Sequence, residues 1–208
     1  NGGVFIMSKW PIDAQSHHVF QACHGDIPTN PPDCSAAKGV NYARINKAGQ
    51  PYHVLGTHLD AGLDSGDYFA RRLQIDEMAA LSMLSIAPDD QPVIMAGDFN
   101  IDKISMDPDR QAEYAYLRDT LRVTAPSDPW YPPDQGTNPK GEWIDYVFYS
   151  NAHLAPRLSF NYVLKPRDAG GGDLSDHYAV LGRFVFAPPG STQPETSAQP
   201  AGRRRKRH

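Results

Sequence analysis

Short segments in which apolar residues alternate with polar ones recur along the chain and predict a protein rich in β-strands. The predicted strands lie at residues 3–8, 18–22, 39–47, 52–59, 93–97, 143–150, 157–165 and 178–186. The turn sequence KAGQP joins the third and fourth of them and predicts a β-hairpin. The fifth, VIMAG, is a short apolar run, which is typical of a buried strand.

Two segments between the strands have apolar residues at helical spacing and predict amphipathic helices. The first runs from about residue 67 to 86, and the second from 111 to 121. The predicted apolar face of the first helix consists of Phe69, Leu73, Ala80, Met83 and Leu84. That of the second consists of Tyr114, Leu117 and Leu121. Strands joined by both hairpins and helical crossovers predict an α/β fold of stacked sheets with helices packed outside.

Composition sets the limits of the folded domain. The chain has 208 residues, of which 40% are hydrophobic and 21% are charged, and this suits one globular domain with its own core. We assign that domain to residues 1–186. Residues 187–208 contain almost no large apolar side chain and predict a disordered Pro/Ser-rich tail. The tail ends in RRRKRH, which would bind an anionic surface, act as a targeting signal, or stay solvated without a role in catalysis.

Net charge and cysteine content restrict the partners and the compartment. A net charge of −4 argues against a large basic surface for nucleic acid, and no apolar run is long enough to span a membrane. Cys23 and Cys34 flank the loop HGDIPTNPPD, where a disulfide would fasten the loop and indicate a secreted or extracytoplasmic protein. The alternative is a pair of free thiols in a cytosolic protein.

Side chains suited to catalysis or metal binding occur at the ends of the predicted strands. They are His58, Asp98, Asn100, Asp145, Asp176 and His177. Asp145 stands near the start of an otherwise apolar strand, where burial of an unpaired carboxylate would cost free energy. A hydrogen bond from His177 would pair this carboxylate and fix the tautomer of the histidine. Carboxylate and amide oxygens with an imidazole suit a hard cation such as Mg²⁺ or Mn²⁺. The set predicts metal-assisted hydrolysis of a phosphoester.

The same residues lie in motifs that resemble a known superfamily. GGVFIMSKWPI, KGVNYARI, YHVLGTHLDAG, GDFNI, IDYVFYS and LSDHYAV occur in the order found in the endonuclease/exonuclease/phosphatase superfamily. Within it, SKWPI and KGVNYARI resemble the bacterial-type neutral sphingomyelinases, also called sphingomyelinase C. The resemblance covers residues 1–186. It implies a four-layered α/β/β/α sandwich of the deoxyribonuclease-I-like type that lacks its first strand and helix.

The resemblance implies catalytic roles for five residues. His58 would contact the scissile phosphate and steady its developing charge. Asp98 would serve the leaving group, as an acid or through a metal, and Asn100 would bind the phosphate or a second ion. His177 would activate the attacking water, and Asp145 would orient this histidine.

A metal site and a substrate are implied in the same way. The implied metal ligands are Asp98, Asn100, Asp176 and His177, and the implied ion is Mg²⁺, with Mn²⁺ or Co²⁺ as substitutes. The implied reaction is the hydrolysis of sphingomyelin to ceramide and phosphocholine by a monomer at a membrane surface. Nucleic acid is not expected as a partner.

Three features depart from the family pattern. The family's first site residues, an Asn and a metal-binding Glu, would precede Asn1, so we expect this chain alone to bind its main metal poorly and to be nearly inactive. The segment RDAGGGD is shorter than the membrane-dipping hairpin of haemolytic members, and Trp130 and Tyr131 would either replace that hairpin or pack on the core. Asp60 stands where the family has Gln and is expected to add a negative charge near a phosphate or metal site.

Two other classes of function remain open on the sequence alone. A nuclease or a sugar-phosphate phosphatase of the same fold would share every catalytic residue, because the fold and its core motifs do not set the substrate. A non-catalytic binding module would keep the fold and lack the upstream ligands. Lysines and arginines that face a groove would favour the nuclease, whereas the basic run of this chain is concentrated in its tail.

Overall fold

Eight strands form two sheets in the part of the chain that the computed structural model describes, which is residues 2–25, 33–81, 87–126 and 136–187. The strands are β1 (Ile12–Val19), β2 (Gly39–Lys47), β3 (Gln50–His58), β4 (Val93–Asp98), β5 (Val123–Thr124), β6 (Asp145–Ser150), β7 (Leu158–Leu164) and β8 (Ala179–Val185). The helices of this part are α1 (Ser65–Ala80) and α2 (Pro108–Leu121), and a short 3₁₀ helix spans Asp33–Ser35.

The larger sheet has six strands in the order β1-β2-β3-β4-β6-β5, and β7 and β8 form the smaller, antiparallel sheet. Strands β3 and β4 are parallel, because α1 lies in the connection between them, and β6 is antiparallel to β4. The ends of β3 and β4 therefore lie beside the start of β6. His58 is opposite Asp98 in this register, and Asp98 is opposite Asp145. Three of the candidate residues therefore lie side by side at one end of these central strands.

The main core lies between the larger sheet and the two helices. Alternate residues of the central strands contribute to it, as the two-residue repeat of a strand requires. The strand residues are Val40, Tyr42, Leu55, Val93, Met95, Tyr146 and Phe148, and the helix residues are Ile75, Met78, Leu117 and Leu121. Each large apolar side chain that is fully buried contributes about 1.5–3 kcal/mol to folding, so this cluster supplies a major part of the stability.

The smaller sheet covers the opposite face of the larger one. Val147 and Tyr149 alternate with the core-facing residues of β6, and they contact β8. A methyl group placed on Gly182 of β8 would lie 2.6 Å from Cγ1 of Val147, and the ring of Tyr149 packs edge to face on Phe184. Helices, six-stranded sheet and two-stranded sheet form three successive layers and confirm the predicted α/β class. The fourth, outer helical layer stays a prediction.

Six of the predicted strands are observed with small shifts of their ends, and two predictions are wrong. Residues 3–8 lie outside the strands of the described structure, and Nδ2 of Asn41 donates to the carbonyl of Val4 at 2.6 Å. The strand predicted at residues 18–22 is found earlier in the chain, at Ile12–Val19, where it forms β1. This edge strand exposes polar side chains on both faces, so pairing with β2 stabilises it and no apolar pattern marks it.

Both predicted helices are observed, and their starts follow from capping. The side chain of Asp64 accepts from the first backbone N–H groups of α1 in a capping box, and Asp107 caps α2 before Pro108. Helix α1 ends at Ala80, and residues 82–86 of its predicted extent lie outside the described residues. The predicted face of α2 is confirmed, with Leu117 and Leu121 buried and Tyr114 packed against the core.

The buried face of α1 is not the predicted one. Phe69 and Leu73 are 63% and 38% exposed, and Ala80 is exposed too. Met83 and Leu84 lie outside the described residues. The buried face combines Ala70, Ile75 and Met78 with the polar residues Asp67, Arg71 and Gln74. An apolar pattern cannot identify such a face, because its polar members are buried only by virtue of partners elsewhere in the chain.

Candidate active site

Two neighbouring strands of the larger sheet and the loop before β8 of the smaller sheet bring an acid and two histidines together. Nε2 of His58, at the end of β3, lies 3.5 Å from Oδ2 of Asp98, at the end of β4. Nε2 of His177, in the loop before β8, lies 3.9 Å from the same oxygen. Both imidazoles are 36% exposed and the carboxylate is 16% exposed, so the group is open on one side. The two histidines therefore flank one recessed carboxylate that a ligand can approach.

His177 is oriented from behind by an acid and a threonine. Its Nδ1 donates to Oδ2 of Asp145 at 2.9 Å, as the sequence predicts. The same oxygen accepts from Oγ1 of Thr137 at 2.7 Å, and this hydroxyl in turn accepts from the backbone N–H groups of Ile144 and Asp145, both at 3.1 Å. The carbonyl of Thr137 also accepts from the N–H of Tyr178. These bonds leave Nε2 of His177 facing Asp98, with its tautomer set by Asp145.

Asn100 has a backbone conformation and a side-chain bond that fix its amide. Its φ of 52° is left-handed, a region that asparagine tolerates, and its N–H donates to Oδ1 of Asp98 at 2.9 Å. Nδ2 donates to the carbonyl of Leu59 at 3.0 Å, so the amide oxygen is turned away from that carbonyl. Asn100 is therefore beside Asp98 with a defined orientation.

Ligand atoms of Asp98, Asp145 and His177 lie within 4.8 Å of one another and could hold a cation. Two carboxylates and one imidazole are the donors that hard or borderline divalent ions accept, so this set fits such an ion. Asp176 stands apart from it, because it is exposed and accepts from Oγ of its neighbour Ser175 at 3.3 Å.

A second group that satisfies the same distance criterion consists of His24, Asp64 and Asp67 at the start of α1. Asp64 and Asp67 form the capping box of that helix, and Nδ1 of His24 contacts Oδ1 of Asp67 at 3.0 Å. Capping of α1 therefore explains why these three side chains lie close together.

The surroundings shift the pKa values of the two histidines beside Asp98 in opposite directions. Burial lowers the pKa of His58, and the positive charge of Lys38 lowers it further, against the pull of Asp98. Burial also acts to lower the pKa of His177, but the hydrogen bond and the charge of Asp145 outweigh it and raise this pKa. His177 is consequently the stronger base of the two.

Both carboxylates of the site have raised pKa values. Burial raises the pKa of Asp98, and the charge of Asp145 raises it further. Burial likewise raises the pKa of Asp145, while the bonds from Thr137 and His177 act against the rise. Perturbed pKa values concentrated in one cleft are characteristic of functional sites.

Three residues that the sequence did not predict stabilise the site through hydrogen bonds and an ion pair: Asp33, Lys38 and Thr137. Lys38 is buried, and its Nζ lies 2.8 Å from Oδ1 of Asp33 and donates to the carbonyl of Leu59 at 2.7 Å. Lys38 belongs to the motif KGV and Asp33 precedes a cysteine, so both lie in segments that attracted notice for other reasons. Thr137 lies in a loop whose sequence carries no such signal.

The cysteine prediction is confirmed, and the expectation for Asp60 stays a prediction. Cys23 and Cys34 form a disulfide with an S–S distance of 2.06 Å. The side chain of Asp60 is fully buried and accepts from the N–H of His24 at 3.0 Å and from Nε2 of Gln74 at 3.5 Å. Burial, with the nearby charge of Asp33, raises the pKa of Asp60 to about 6. Trp130 and Tyr131 lie outside the described residues.

Comparison with known proteins identifies the family and confirms the resemblance noted in the sequence. The model of the endonuclease/exonuclease/phosphatase family matches residues 1–177. Sphingomyelinase C of Leptospira interrogans is 32% identical over 230 residues, which include 99% of this chain and 38% of that relative. The chain thus spans about two fifths of the length of this curated relative.

Solved structures agree with the sequence comparison. Sphingomyelinase C from Streptomyces griseocarneus superposes with a TM-score of 0.67 at 26% identity, over 87% of this chain and 66% of that one. A Staphylococcus aureus beta toxin variant with bound magnesium ions gives 0.66 at 25% identity, over 86% and 66%. Within the described residues, no helix is both long and apolar enough to cross a bilayer. By its matched sequence and by the site at its sheet edge, the chain belongs to the endonuclease/exonuclease/phosphatase family.

Proposed function

We propose that this chain carries the catalytic centre of a divalent-metal-dependent phosphodiesterase that hydrolyses sphingomyelin to ceramide and phosphocholine. The observation that carries the proposal is the array in which His58 and His177 flank Asp98 while Asp145 supports His177. The similarity to sphingomyelinases C over almost the whole chain supports the choice of substrate.

His177 is the proposed general base. Its Nδ1 is occupied by Asp145, so Nε2 is the atom that can take a proton from the attacking water. The raised pKa of His177 and the exposure of about a third of its side chain favour this task. Asp145 and Thr137 hold the ring in place and do not exchange protons with the substrate in this scheme.

His58, Asn100 and Asp98 are the proposed contacts of the phosphate and of the leaving oxygen. His58 can donate to a phosphate oxygen through Nε2, and the amide of Asn100 lies next to Asp98. The raised pKa of Asp98 favours a carboxyl group that can serve the leaving group as an acid.

A divalent cation is part of the proposal, with Asp98, Asn100 and Asp176 as its expected ligands, Asp145 as a further donor within reach, and His177 close beside it with Nε2 left free as the base. Such an ion neutralises phosphate charge and lowers the pKa of bound water. Mg²⁺ is the proposed ion, by analogy with the magnesium-bound structure of the S. aureus beta toxin variant, and Mn²⁺ or Co²⁺ would substitute. Donor atoms of Asp98 and Asp145 lie close enough together to share one ion, which supports part of this ligand set, while Asn100 and Asp176 are expected ligands through the family resemblance alone.

We further propose a secreted or extracytoplasmic, monomeric protein that meets its lipid at a membrane surface. The disulfide between Cys23 and Cys34 supports an oxidising compartment.

The decisive experiment compares three substrates. The complete gene product is incubated with sphingomyelin vesicles, phosphatidylcholine vesicles and DNA, each with Mg²⁺ and with a chelator. We expect phosphocholine release from sphingomyelin that requires Mg²⁺, and intact DNA. Degraded DNA without phosphocholine release would assign the site to a nuclease, and binding of sphingomyelin without turnover of any substrate would favour a non-catalytic module.

A further inference from the structure

Lys38 is buried beneath the candidate active site and holds the end of β3. Its side chain is 6% exposed and makes two contacts, a 2.8 Å ion pair with Oδ1 of Asp33 and a 2.7 Å bond to the carbonyl of Leu59. Oδ2 of Asp33 accepts from the N–H of Ala61 at 2.5 Å. The buried ion pair thus clamps the segment 59–61 through one carbonyl and one N–H group.

The Leu59 carbonyl, which accepts from Lys38, also accepts from the side-chain amide of Asn100. A carbonyl oxygen has two lone pairs, and that of Leu59 accepts both from Nζ of Lys38 and from Nδ2 of Asn100, the latter at 3.0 Å. The N–H of Leu59 donates to the carbonyl of Asp98 at 3.0 Å. The Leu59 peptide therefore connects the buried lysine to both polar residues of the GDFN motif.

The two ends of an amide have opposite hydrogen-bonding character, so a bond at one end orients the other. While Nδ2 of Asn100 stays on the Leu59 carbonyl, its oxygen is presented to the other side. We propose that Lys38 is a positioning residue that fixes the Leu59 carbonyl and thereby keeps the amide oxygen of Asn100 turned to the phosphate and metal. This inference rests on the function proposed above, in which Asn100 binds one of those groups.

The test uses the complete gene product in an Asp33→Asn background, because removal of Lys38 alone would leave a buried carboxylate without its cation; the wild type is measured beside it, since Asp33→Asn by itself leaves Lys38 without its anion. The kcat for sphingomyelin with Mg²⁺ is compared between Asp33→Asn and Asp33→Asn/Lys38→Met. We expect the Lys38 change to lower kcat by about 10–100-fold, the effect typical of residues that orient metal-site ligands. A kcat equal to that of the background overturns the proposal.

A second comparison asks whether Lys38 acts through Asn100. Asn100→Gly removes the amide, and glycine adopts the φ of 52° without a steric penalty. When Lys38→Met is added to the chain with Asp33→Asn and Asn100→Gly, kcat should fall no further. The same fold-loss with and without the amide would show that Lys38 supports the site by another route, and it would overturn the proposal.

Arg71→Met/Glu113→Gln is the matched control, because it also removes a buried cation and its carboxylate charge. Neither residue bonds to Leu59 or Asn100 among the bonds described, although Arg71 donates to the carbonyl of the adjacent Asp60. The control therefore also disturbs the segment 59–61 but leaves the Leu59 carbonyl untouched, and its effect should add to that of Asn100→Gly. If the Met variant does not fold, Lys38→Gln, whose side chain is shorter than that of lysine, gives the same comparison.

A readout that does not depend on turnover separates this inference from the proposed function. The side-chain amide protons of Asn100 should exchange with solvent about tenfold faster in Asp33→Asn/Lys38→Met than in Asp33→Asn. Unchanged exchange overturns the role of Lys38. Lack of sphingomyelin turnover by the wild-type protein, with faster exchange in the variant, counts against the proposed function alone.

Discussion

Asp98 stands between two histidines that are chemically alike and electrostatically different. Lys38 lies near His58, and Asp145 is bonded to His177, so the same imidazole group meets a cation in one case and an acid in the other. The pKa of His58 is lowered and that of His177 is raised as a result. Two titratable groups whose pKa values are pushed apart can divide the tasks of an acid–base reaction.

The base role of His177 is testable by its removal. His177→Ala in the complete gene product should lower kcat by about 10²–10⁴-fold, the usual contribution of a positioned general base. His17→Ala is the matched control, because His17 is an exposed histidine of the edge strand β1 and should leave kcat unchanged. Phosphocholine release is the measurement, and near-wild-type turnover by His177→Ala would remove this residue from the mechanism.

Asp60 gives a pH dependence to stability that is separate from catalysis. Its pKa is raised to about 6 in the folded protein from the ordinary value of 3.8, so the folded state holds a proton that the unfolded state releases. The free energy of unfolding should therefore fall as the pH rises from about 4 to about 6, and this contribution should be constant at higher pH.

Asp60→Asn should remove this contribution, because an amide does not ionise. Urea unfolding at several pH values from 4 to 7 measures it as the difference between variant and wild type. We expect the variant to gain stability relative to wild type as the pH rises, and a difference that does not change with pH would contradict the assignment. His24 titrates at higher pH, since its bond to Asp67 raises its pKa above the usual value, and this separates the two windows.

Helices α1 and α2 are joined by a buried ion pair as well as by apolar contact. Nε of Arg71 donates to Oε1 of Glu113 at 2.7 Å, and its NH1 group donates to the carbonyls of Asp60 and Gly62. One side chain of α1 thus connects the neighbouring helix to the loop that follows β3. This arrangement explains why polar residues occupy the helix face that the apolar pattern assigns to solvent.

Arg71→Met should destabilise the protein by about 3–5 kcal/mol, because it leaves Glu113 as a buried charge without a partner. The neighbouring Arg72 is exposed and lies over the ring of Tyr116, so Arg72→Met should cost no more than about 1 kcal/mol. Denaturant unfolding of the two variants gives the comparison. Equal losses would show that the buried pair contributes nothing particular to helix packing.

The disulfide links the segment after β1 to the buried Asp33–Lys38 pair beneath the candidate active site. Cys34 is adjacent to Asp33, whose carboxylate pairs with Lys38 and binds the N–H of Ala61. The bridge restrains the unfolded chain between residues 23 and 34, and it also limits the movement of Asp33. Stability and site geometry are therefore coupled through this loop.

Cys23→Ser/Cys34→Ser should lower the free energy of unfolding by about 3 kcal/mol, the value expected for a short closed loop. Thermal unfolding of wild type and variant, each with and without dithiothreitol, measures the effect. Reductant should lower the midpoint of the wild type toward that of the variant and leave the variant unchanged. A wild-type midpoint that does not respond to full reduction would contradict the prediction.

Strands with an apolar face, the ends of those strands and the residues placed there could be predicted from the amino-acid sequence alone. Strands β2, β3, β4 and β6 could be predicted because alternation and apolar runs are local properties. His58, Asp98, Asn100, Asp145 and His177 stood out for the same reason, since their residue types occur beside such strands within recognisable motifs. The disulfide followed from two cysteines around one loop.

The burial of polar residues and the partners that they bind could be learned only from the folded chain. The edge strand β1 forms through pairing with β2, and the inner face of α1 depends on Glu113 of another helix. Lys38 and Thr137 entered the site through contacts with Leu59 and Asp145: Lys38 lies in the motif KGVNYARI, which does not indicate its buried bonds, and Thr137 lies in a loop without a motif. A buried polar group is stable only with its partner, and the partner is chosen by the fold, so no local pattern could have revealed these residues.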